Sequence, residues 1–155
     1  MEIERKFLVK EVPFDVTEYR YHDIEQAYLT RNPVVRIRKQ DNEYYLTYKN
    51  NTSSKIAREE YNLPLTEESY NELLPKAGGI ILTKRRYLIP YEKYTIELDV
   101  FSGKYNGLVL AEVEFETEED ALGFKPPEWF GRDVSYTGEY QNSRLSMEGY
   151  ELPKI

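Results

Sequence analysis

Glu2-Ile3-Glu4-Arg5-Lys6-Phe7-Leu8-Val9 alternates strictly. Ile3, Phe7 and Val9 share one face with Arg5; Glu2, Glu4, Lys6 and Leu8 share the other. A period of two predicts a strand, apolar on one side and charged on the other. The same two-sided pattern returns along the chain. Over 24–31, Ala27 and Leu29 oppose Gln26, Tyr28 and Thr30. Asn32-Pro33 signals a turn, and over 34–40 Val35 and Ile37 oppose Arg36 and Arg38. After Asp41-Asn42, the stretch 43–49 sets Leu46 and Tyr48 against Tyr45, Thr47 and Lys49. A polar loop from Asn50 to Ser54 leads to 56–64, where Tyr61 and Leu63 oppose Arg58, Glu60 and Asn62.

The period then changes. Thr66-Glu67-Glu68 reads as an N-cap with an acidic first turn, and Tyr70, Leu73 and Leu74 recur at helical spacing up to Gly78-Gly79. Strands resume at 80–89, with Lys84, Arg86 and Leu88 on one face, and at 94–101, where Ile96, Leu98 and Val100 oppose Glu97 and Asp99. Over 107–116, Val109, Ala111, Val113 and Phe115 oppose Glu112 and Glu114. Short helices are expected at 118–122 and near 140–147, with Trp129 between them as a packing anchor. Eight strands joined by short turns predict a mainly β fold with a few peripheral helices, an antiparallel sheet closed into a barrel, because closure removes exposed edges. With no repeat or linker, residues 1–155 are expected to form one domain.

The charged faces together carry Glu2, Glu4, Lys6, Arg36, Arg38, Lys49, Arg58, Glu60, Lys84, Arg86, Glu97, Asp99, Glu112 and Glu114, seven bases and seven acids. Signs segregate by strand: 36–38 and 84–86 bring only bases, 97–99 and 112–116 only acids. Pairing for surface stability would interleave the signs. Segregation points instead to a basic wall and an acidic wall around a common lumen. Such a lumen must hold water, ions and a charged ligand, since unpaired buried charge is too costly. The apolar faces then point outward. Helices, loops and the Trp129 tail can cover part of them, and a homodimer more.

Composition narrows the chemistry. The chain has 155 residues, 32% of them charged, with no Cys and one His. Disulfides, thiolate metal sites and a Cys nucleophile are excluded, and His-rich zinc sites with them. A net charge of -7 makes a poor general nucleic-acid binder. No apolar run is long enough to span a membrane, and the acids at Glu2 and Glu4 do not suit a signal peptide, so a cytoplasmic location is expected. No Gly-rich phosphate loop occurs. His22 reads as a surface residue without a partner.

Convergent bases suit a ligand with closely packed negative charges, such as a chain of phosphates. Carboxylates in the same lumen would repel it unless they hold divalent cations. Oxygen-only ligation points to Mg²⁺ or Mn²⁺, as one or two ions. Glu2 and Glu4 stand about 7 Å apart along one strand face. Glu112 and Glu114 repeat that geometry, and the two pairs together can cage cations.

These residues resemble the CYTH, or triphosphate tunnel metalloenzyme, superfamily. Its Glu-x-Glu-x-Lys strand is present as Glu2-Ile3-Glu4-Arg5-Lys6. The resemblance continues through Val35-Arg36-Ile37-Arg38, Leu46-Thr47-Tyr48-Lys49, Arg58-Glu59-Glu60-Tyr61, Lys84-Arg85-Arg86-Tyr87, Glu97-Leu98-Asp99 and Glu112-Val113-Glu114. Trp129-Phe130-Gly131 and Tyr140-Gln141-Asn142 are similar to the end of small bacterial members. The resemblance implies an eight-stranded antiparallel tunnel, charged inside, acting on triphosphates with a divalent metal. It implies that Lys6, Arg36, Arg38, Lys49, Arg58, Lys84 and Arg86 grip the phosphates. Glu2, Glu4 and Glu114 would ligate a metal, with Glu112 and Glu60 as neighbours that hold or activate water. Lys84 and Tyr28 occupy the places of a Lys–Tyr pair that assists hydrolysis. Two positions depart from relatives: Asn62 stands where many carry Glu, and Ser143 where some carry a base.

The function expected is hydrolysis of a linear triphosphate, foremost inorganic tripolyphosphate to pyrophosphate and phosphate. The alternatives are a class IV adenylyl cyclase and a non-catalytic polyphosphate- or nucleotide-binding module. The first would need an adenine pocket; the second would not need Glu2, Glu4, Glu112 and Glu114.

Overall fold

A computed structural model describes residues 1–50 and 56–153, so the expected loop beyond Asn50 lies outside the described residues. Strands dominate: β1 (Glu2–Leu8), β2 (Arg20–Arg31), β3 (Val34–Gln40), β4 (Glu43–Lys49), β5 (Ala57–Arg58), β6 (Glu60–Leu65), β7 (Gly78–Tyr91), β8 (Tyr94–Phe101) and β9 (Val109–Glu114). They form one antiparallel sheet in the order β5-β1-β9-β8-β7-β2-β3-β4-β6. Its two edge strands are separated in sequence by Glu59 alone, so the chain itself nearly closes the barrel.

The strand expected over 56–64 is therefore two segments, which makes nine in place of eight. Its first part must pair with β1 (Glu2 opposite Arg58) and its second with β4 (Lys49 opposite Glu60). One straight strand cannot follow two diverging neighbours, and the chain breaks at Glu59, whose carbonyl accepts from Asn50 N at 3.3 Å.

Several boundaries move outward. β2 begins at Arg20, so His22 lies within a strand. It is not partnerless: its Nδ1 sits 2.6 Å from Asp41 Oδ2, in the left-handed turn residue (φ 54°) that joins β3 to β4. β7 begins at Gly78, so the two glycines open a strand rather than stop a helix. Gly79 has a φ of +80°, and a Cβ there would stand 2.0 Å from Ser146 O. Only glycine lets the C-terminal segment approach so closely.

The barrel is turned inside out. Ile3, Phe7, Ile96, Leu98, Ala111 and Val113 point outward and are buried under residues 115–130, with α2 (Glu118–Gly123) and Trp129 among them. Trp129 meets Phe14 and Phe130 edge to face, the anchoring role its position suggested. Ala27 and Ile37 are covered by Tyr70 of α1 (Glu67–Leu73), a helix started by a capping box between Thr66 and Ser69. Tyr61 and Leu63, on the outer face of β6, stay 57% and 58% exposed.

The inner face is charged toward one end and apolar toward the other. Leu8, Val34, Leu82, Phe101 and Leu110 lie on the same strand faces as the charged residues and pack with Tyr28, Val134, Tyr140 and Leu145. The last two flank or belong to α3 (Asn142–Leu145), so the C-terminal segment lines one end of the lumen. Among the described residues no helix is long and apolar enough to cross a membrane.

Candidate functional site

The lumen gathers every residue expected to grip phosphate or hold a metal, and of the fourteen charges expected around it all but Glu97 and Asp99. Glu2, Glu4, Lys6, Tyr28, Arg36, Arg38, Lys49, Arg58, Glu60, Lys84, Arg86, Glu112 and Glu114 all border one cavity. Strand order explains the segregation of sign. β1, β9 and β8 are consecutive neighbours and bring most of the acids; on the other side of the sheet β7, β3 and β4 bring five of the seven bases, with Lys6 on β1 and Arg58 on β5 the other two.

The acidic arc has a distinct centre. Carboxylate oxygens of Glu2, Glu4 and Glu114 lie within 4.8 Å of one another. All three carboxyls are pushed above the ordinary carboxylate range. Burial acts first on each, and repulsion adds to it: Glu112 and Glu2 act on Glu4, and Glu2, Glu60 and Glu112 on Glu114. Three converging carboxylates that repel one another are the donor set a hard divalent cation satisfies. The residues fit a bound Mg²⁺ or Mn²⁺. Glu112 stands beside this group but is tied to Lys6 (3.3 Å) and Arg86 (3.4 Å). Burial works to raise its carboxyl, yet Lys6, Arg86 and Lys84 overcome it and hold Glu112 ionised.

Glu60 lies at the seam. Burial opposes its charge, but a hydrogen bond shared with Glu2, the Lys49 ammonium and Asn62 bring it down to about 2. Lys49 Nζ donates to Glu2 Oε1 at 2.9 Å and stands 4.0 Å from Glu60. Asn62, the departure from relatives, donates Nδ2 to Glu60 Oε1 at 3.0 Å and accepts from Thr47 at 2.6 Å. It keeps Glu60 charged without adding a further negative group.

The bases fall into two sets. Lys6, Lys49, Lys84 and Arg86 each have a carboxylate partner. Arg36 and Arg38 have none among the described residues. Arg36 Nη2 donates to Thr47 Oγ1 at 3.0 Å, while its buried Nε has no partner among the described residues. Arg38 donates Nε and Nη2 to Gln26 Oε1 at 3.1 and 2.8 Å. Burial, with the like charges of Arg36 and Arg86, pushes the Arg38 guanidinium down to about 9. Arg58 lines the same cavity from β5.

Lys84 is almost wholly buried, 2.8 Å from Asp99, and burial outweighs that carboxylate to bring its ammonium down to about 7. Lys84 and Tyr28 meet through two amides. Lys84 Nζ donates to Asn142 Oδ1 (2.9 Å), Gln26 Nε2 to the same oxygen (3.1 Å), and Gln26 Nε2 also to Tyr28 Oη (3.2 Å).

Sequence reasoning named neither Gln26 nor Asn142 as a site residue, and Asp99 only as part of the charged face. Asp99 is fully buried and grips Arg86 through both oxygens at 2.7 and 2.9 Å. Its alternation with Glu97 was the available signal. Glu97 itself, 3.1 Å from Arg86, is raised to about 7 by burial, which Arg86 opposes and Glu112 and Glu114 reinforce. Ser143, the other departure, borders the cavity, and its carbonyl accepts from Arg31 Nε at 3.0 Å.

Comparison with known proteins agrees with this geometry. The chain is 36% identical over 151 residues to an inorganic triphosphatase of Nitrosomonas europaea, covering 94% of this chain and 97% of that protein. It is 35% identical over 152 residues to an inorganic triphosphatase of Acetivibrio thermocellus, covering 97% and 96%. The crystal structure of the inorganic triphosphatase NE1496 superposes with a TM-score of 0.70 at 35% identity, over 96% of this chain and 95% of that one. Residues 1–135 match the CYTH domain, and with nearly full-length relatives above 30% identity the chain belongs to the CYTH family.

Proposed function

We propose that this chain is a divalent-metal-dependent hydrolase of linear triphosphates that converts tripolyphosphate and water to pyrophosphate and orthophosphate. The observation that carries the reading is the pair Arg36 and Arg38, without carboxylate partners among the described residues, in the same lumen as the Glu2, Glu4 and Glu114 cluster. Two uncompensated guanidiniums call for an anion with several charged oxygens, and guanidinium geometry suits phosphate. The relatives named inorganic triphosphatase support the same substrate class.

Each group has a task that its surroundings suit. Arg36, Arg38 and Arg58, with Lys6, Lys49 and Arg86, would hold and neutralise the phosphate chain. Glu2, Glu4 and Glu114 would hold Mg²⁺ or Mn²⁺, which when bound neutralises phosphate charge and makes a coordinated water more acidic. Glu60, kept ionised, can accept a proton from the attacking water. Glu112, ionised between Lys6 and Arg86, fixes those two bases and adds negative charge beside the cluster. Lys84 at about 7 can give a proton to the departing phosphate oxygen, with Tyr28 held nearby through Gln26. In-line attack then forms one P–O bond and breaks the anhydride.

We further infer that residues 1–155 work as one unit, since residues 134–152 complete the packing at one end of the lumen, and that a chain with no Cys works in the reducing cytoplasm. A homodimer would cover further apolar surface of the barrel, Tyr61 and Leu63 among it.

The test is product analysis. Tripolyphosphate, ATP and thiamine triphosphate are incubated with Mg²⁺ or Mn²⁺, and every product is identified. Pyrophosphate and orthophosphate from tripolyphosphate, at a catalytic efficiency above that for ATP, are expected. Cyclic AMP from ATP at the greater rate would move the assignment to a cyclase, and binding without turnover to a polyphosphate-binding module.

A further inference from the structure

Gln26 is completely buried and Asn142 is nine-tenths buried, yet neither amide is adrift. Arg38 has only donors, and two of them, Nε and Nη2, converge on Gln26 at 3.1 and 2.8 Å. Gln26 must therefore turn its oxygen toward Arg38. Its amino group is left for the other side, where it meets Tyr28 Oη and Asn142. An amino group only donates, so Asn142 must answer with its oxygen. The Lys84 ammonium, 2.9 Å away, demands the same of Asn142 independently. Both lone pairs of Asn142 Oδ1 are thus taken. What remains is Nδ2, which among the described residues donates to no protein acceptor, on a side chain that borders the lumen beside Lys84 and Arg38.

The segment carrying Asn142 is held firmly. Arg31 donates to the carbonyls of Ser143, Ser146 and Gly78, and Tyr105 Oη to the carbonyl of Leu145 at 2.6 Å. A donor presented this way cannot turn away without leaving Lys84 or Gln26 unsatisfied.

We propose that Asn142 is a substrate-binding residue, donating Nδ2–H to a phosphate oxygen of the triphosphate, and that Gln26 is a positioning residue that sets its orientation. Arg38, Gln26 and Asn142 form a line of donors with one direction, ending on the ligand. An ionised phosphate oxygen only accepts, so a neutral N–H donor adds to the grip. It adds no further positive charge to a lumen where Arg36, Arg38 and Arg86 already repel one another. The inference rests on the triphosphate reading of the same cavity.

The test is calorimetric titration of the full chain with tripolyphosphate. Wild type is compared with Asn142→Ala, Asn142→Asp, Gln26→Glu and the Gln26→Glu/Asn142→Ala pair, each checked for a retained melting transition. A hydrogen bond to a charged group implies a loss of roughly 10- to 100-fold for Asn142→Ala. Asn142→Asp keeps the shape and both accepted bonds but sets an acceptor against phosphate, so it should bind more weakly than Asn142→Ala. The reverse order, with Asp milder than Ala, would mark a structural role, because Asp preserves the packing that Ala removes. Gln26→Glu still accepts from Arg38 but offers Asn142 an acceptor, drawing Nδ2 away from the lumen. It should weaken binding by itself, in part by giving Arg38 a carboxylate partner, and should weaken Asn142→Ala by less than it weakens wild type. Binding by both Asn142 variants within threefold of wild type, Asp milder than Ala, or full additivity in the pair would each overturn the inference while leaving the triphosphate site standing. No tripolyphosphate binding by wild type would overturn both.

Discussion

Lys84 Nζ and Asp99 Oδ2 stand 2.8 Å apart with side chains 1% and 0% exposed, and Asp99 also holds Arg86 through both oxygens. One carboxylate thus anchors two bases of the lumen. Burial works against its charge, and Arg86 and Lys84 together bring its pKa down. Asp99→Asn would leave Lys84 and Arg86 short of a counter-charge in a poorly solvated wall. Removing one partner of a buried pair costs about 3–5 kcal/mol. Urea denaturation should show a loss of that order, and a loss below about 1 kcal/mol would show that Glu97 and Glu112 can replace Asp99.

The position of Lys84 also predicts a proton linkage. Its ammonium titrates near 7 in the free protein because burial outweighs Asp99. Below that pH it is already charged; above it, it is mostly neutral. A polyanion bound beside it favours the charged form, so binding at pH 8 should take up protons and binding at pH 6 should take up far fewer from this group. Calorimetry in buffers of different ionisation enthalpy measures the uptake. Lys84→Met should abolish the pH 8 component, and an unchanged uptake in that variant would assign the proton elsewhere.

At the acidic centre the expected effects on stability and on metal response are opposite. Glu4 has its carboxyl raised well above the ordinary value by burial, then by Glu112 and Glu2. A raised acid is less stable charged in the fold than in the unfolded chain, so this group's contribution falls as pH rises from the ordinary carboxylate value through the folded one. Metal-free Glu4→Gln should therefore melt at or above the wild-type temperature at pH 7. Mn²⁺ should raise the melting temperature of wild type and not of Glu4→Gln or Glu114→Gln. Triphosphatase activity should vanish in excess chelator and fall by orders of magnitude in both variants. A wild-type melting temperature indifferent to Mn²⁺ would count against this cluster as the metal site.

Much of this was legible because strand alternation is local. Alternation puts Glu2, Glu4 and Lys6 on one face of their strand and Glu112 and Glu114 on one face of theirs, and the inverted barrel follows from the segregation of charge. What escaped depends on long-range pairing. The break at Glu59 arises from the different partners of Arg58 and Glu60, which no period records. Gln26 reads in the sequence only as a polar residue on the same strand face as Tyr28. Only the fold brings it to Arg38 on β3 and to Asn142, 116 residues away. His22 likewise meets Asp41 only through the pairing of β2 with β3.

Arg38 offers the most direct separation of binding from folding. Its charge has no carboxylate partner among the described residues, and Arg36 and Arg86 repel it. Without ligand, Arg38→Met should relieve that repulsion and cost little stability, with a melting temperature close to wild type. With ligand, the lost contact should appear as weaker tripolyphosphate binding. Hydrogen bonds to charged groups contribute about 1.5–3 kcal/mol each, so a loss of roughly 10- to 100-fold is expected. Orthophosphate should be affected less. It can settle on Arg36, which also has no carboxylate partner among the described residues, and need not engage Arg38, whereas a triphosphate long enough to span the basic arc must meet it. Calorimetry with both ligands decides the matter. Equal losses for orthophosphate and tripolyphosphate would mean that the bases act as separate anion sites rather than as one extended grip. A large fall in melting temperature without ligand would mean that the Arg38–Gln26 bonds hold the barrel wall more than they prepare it for phosphate.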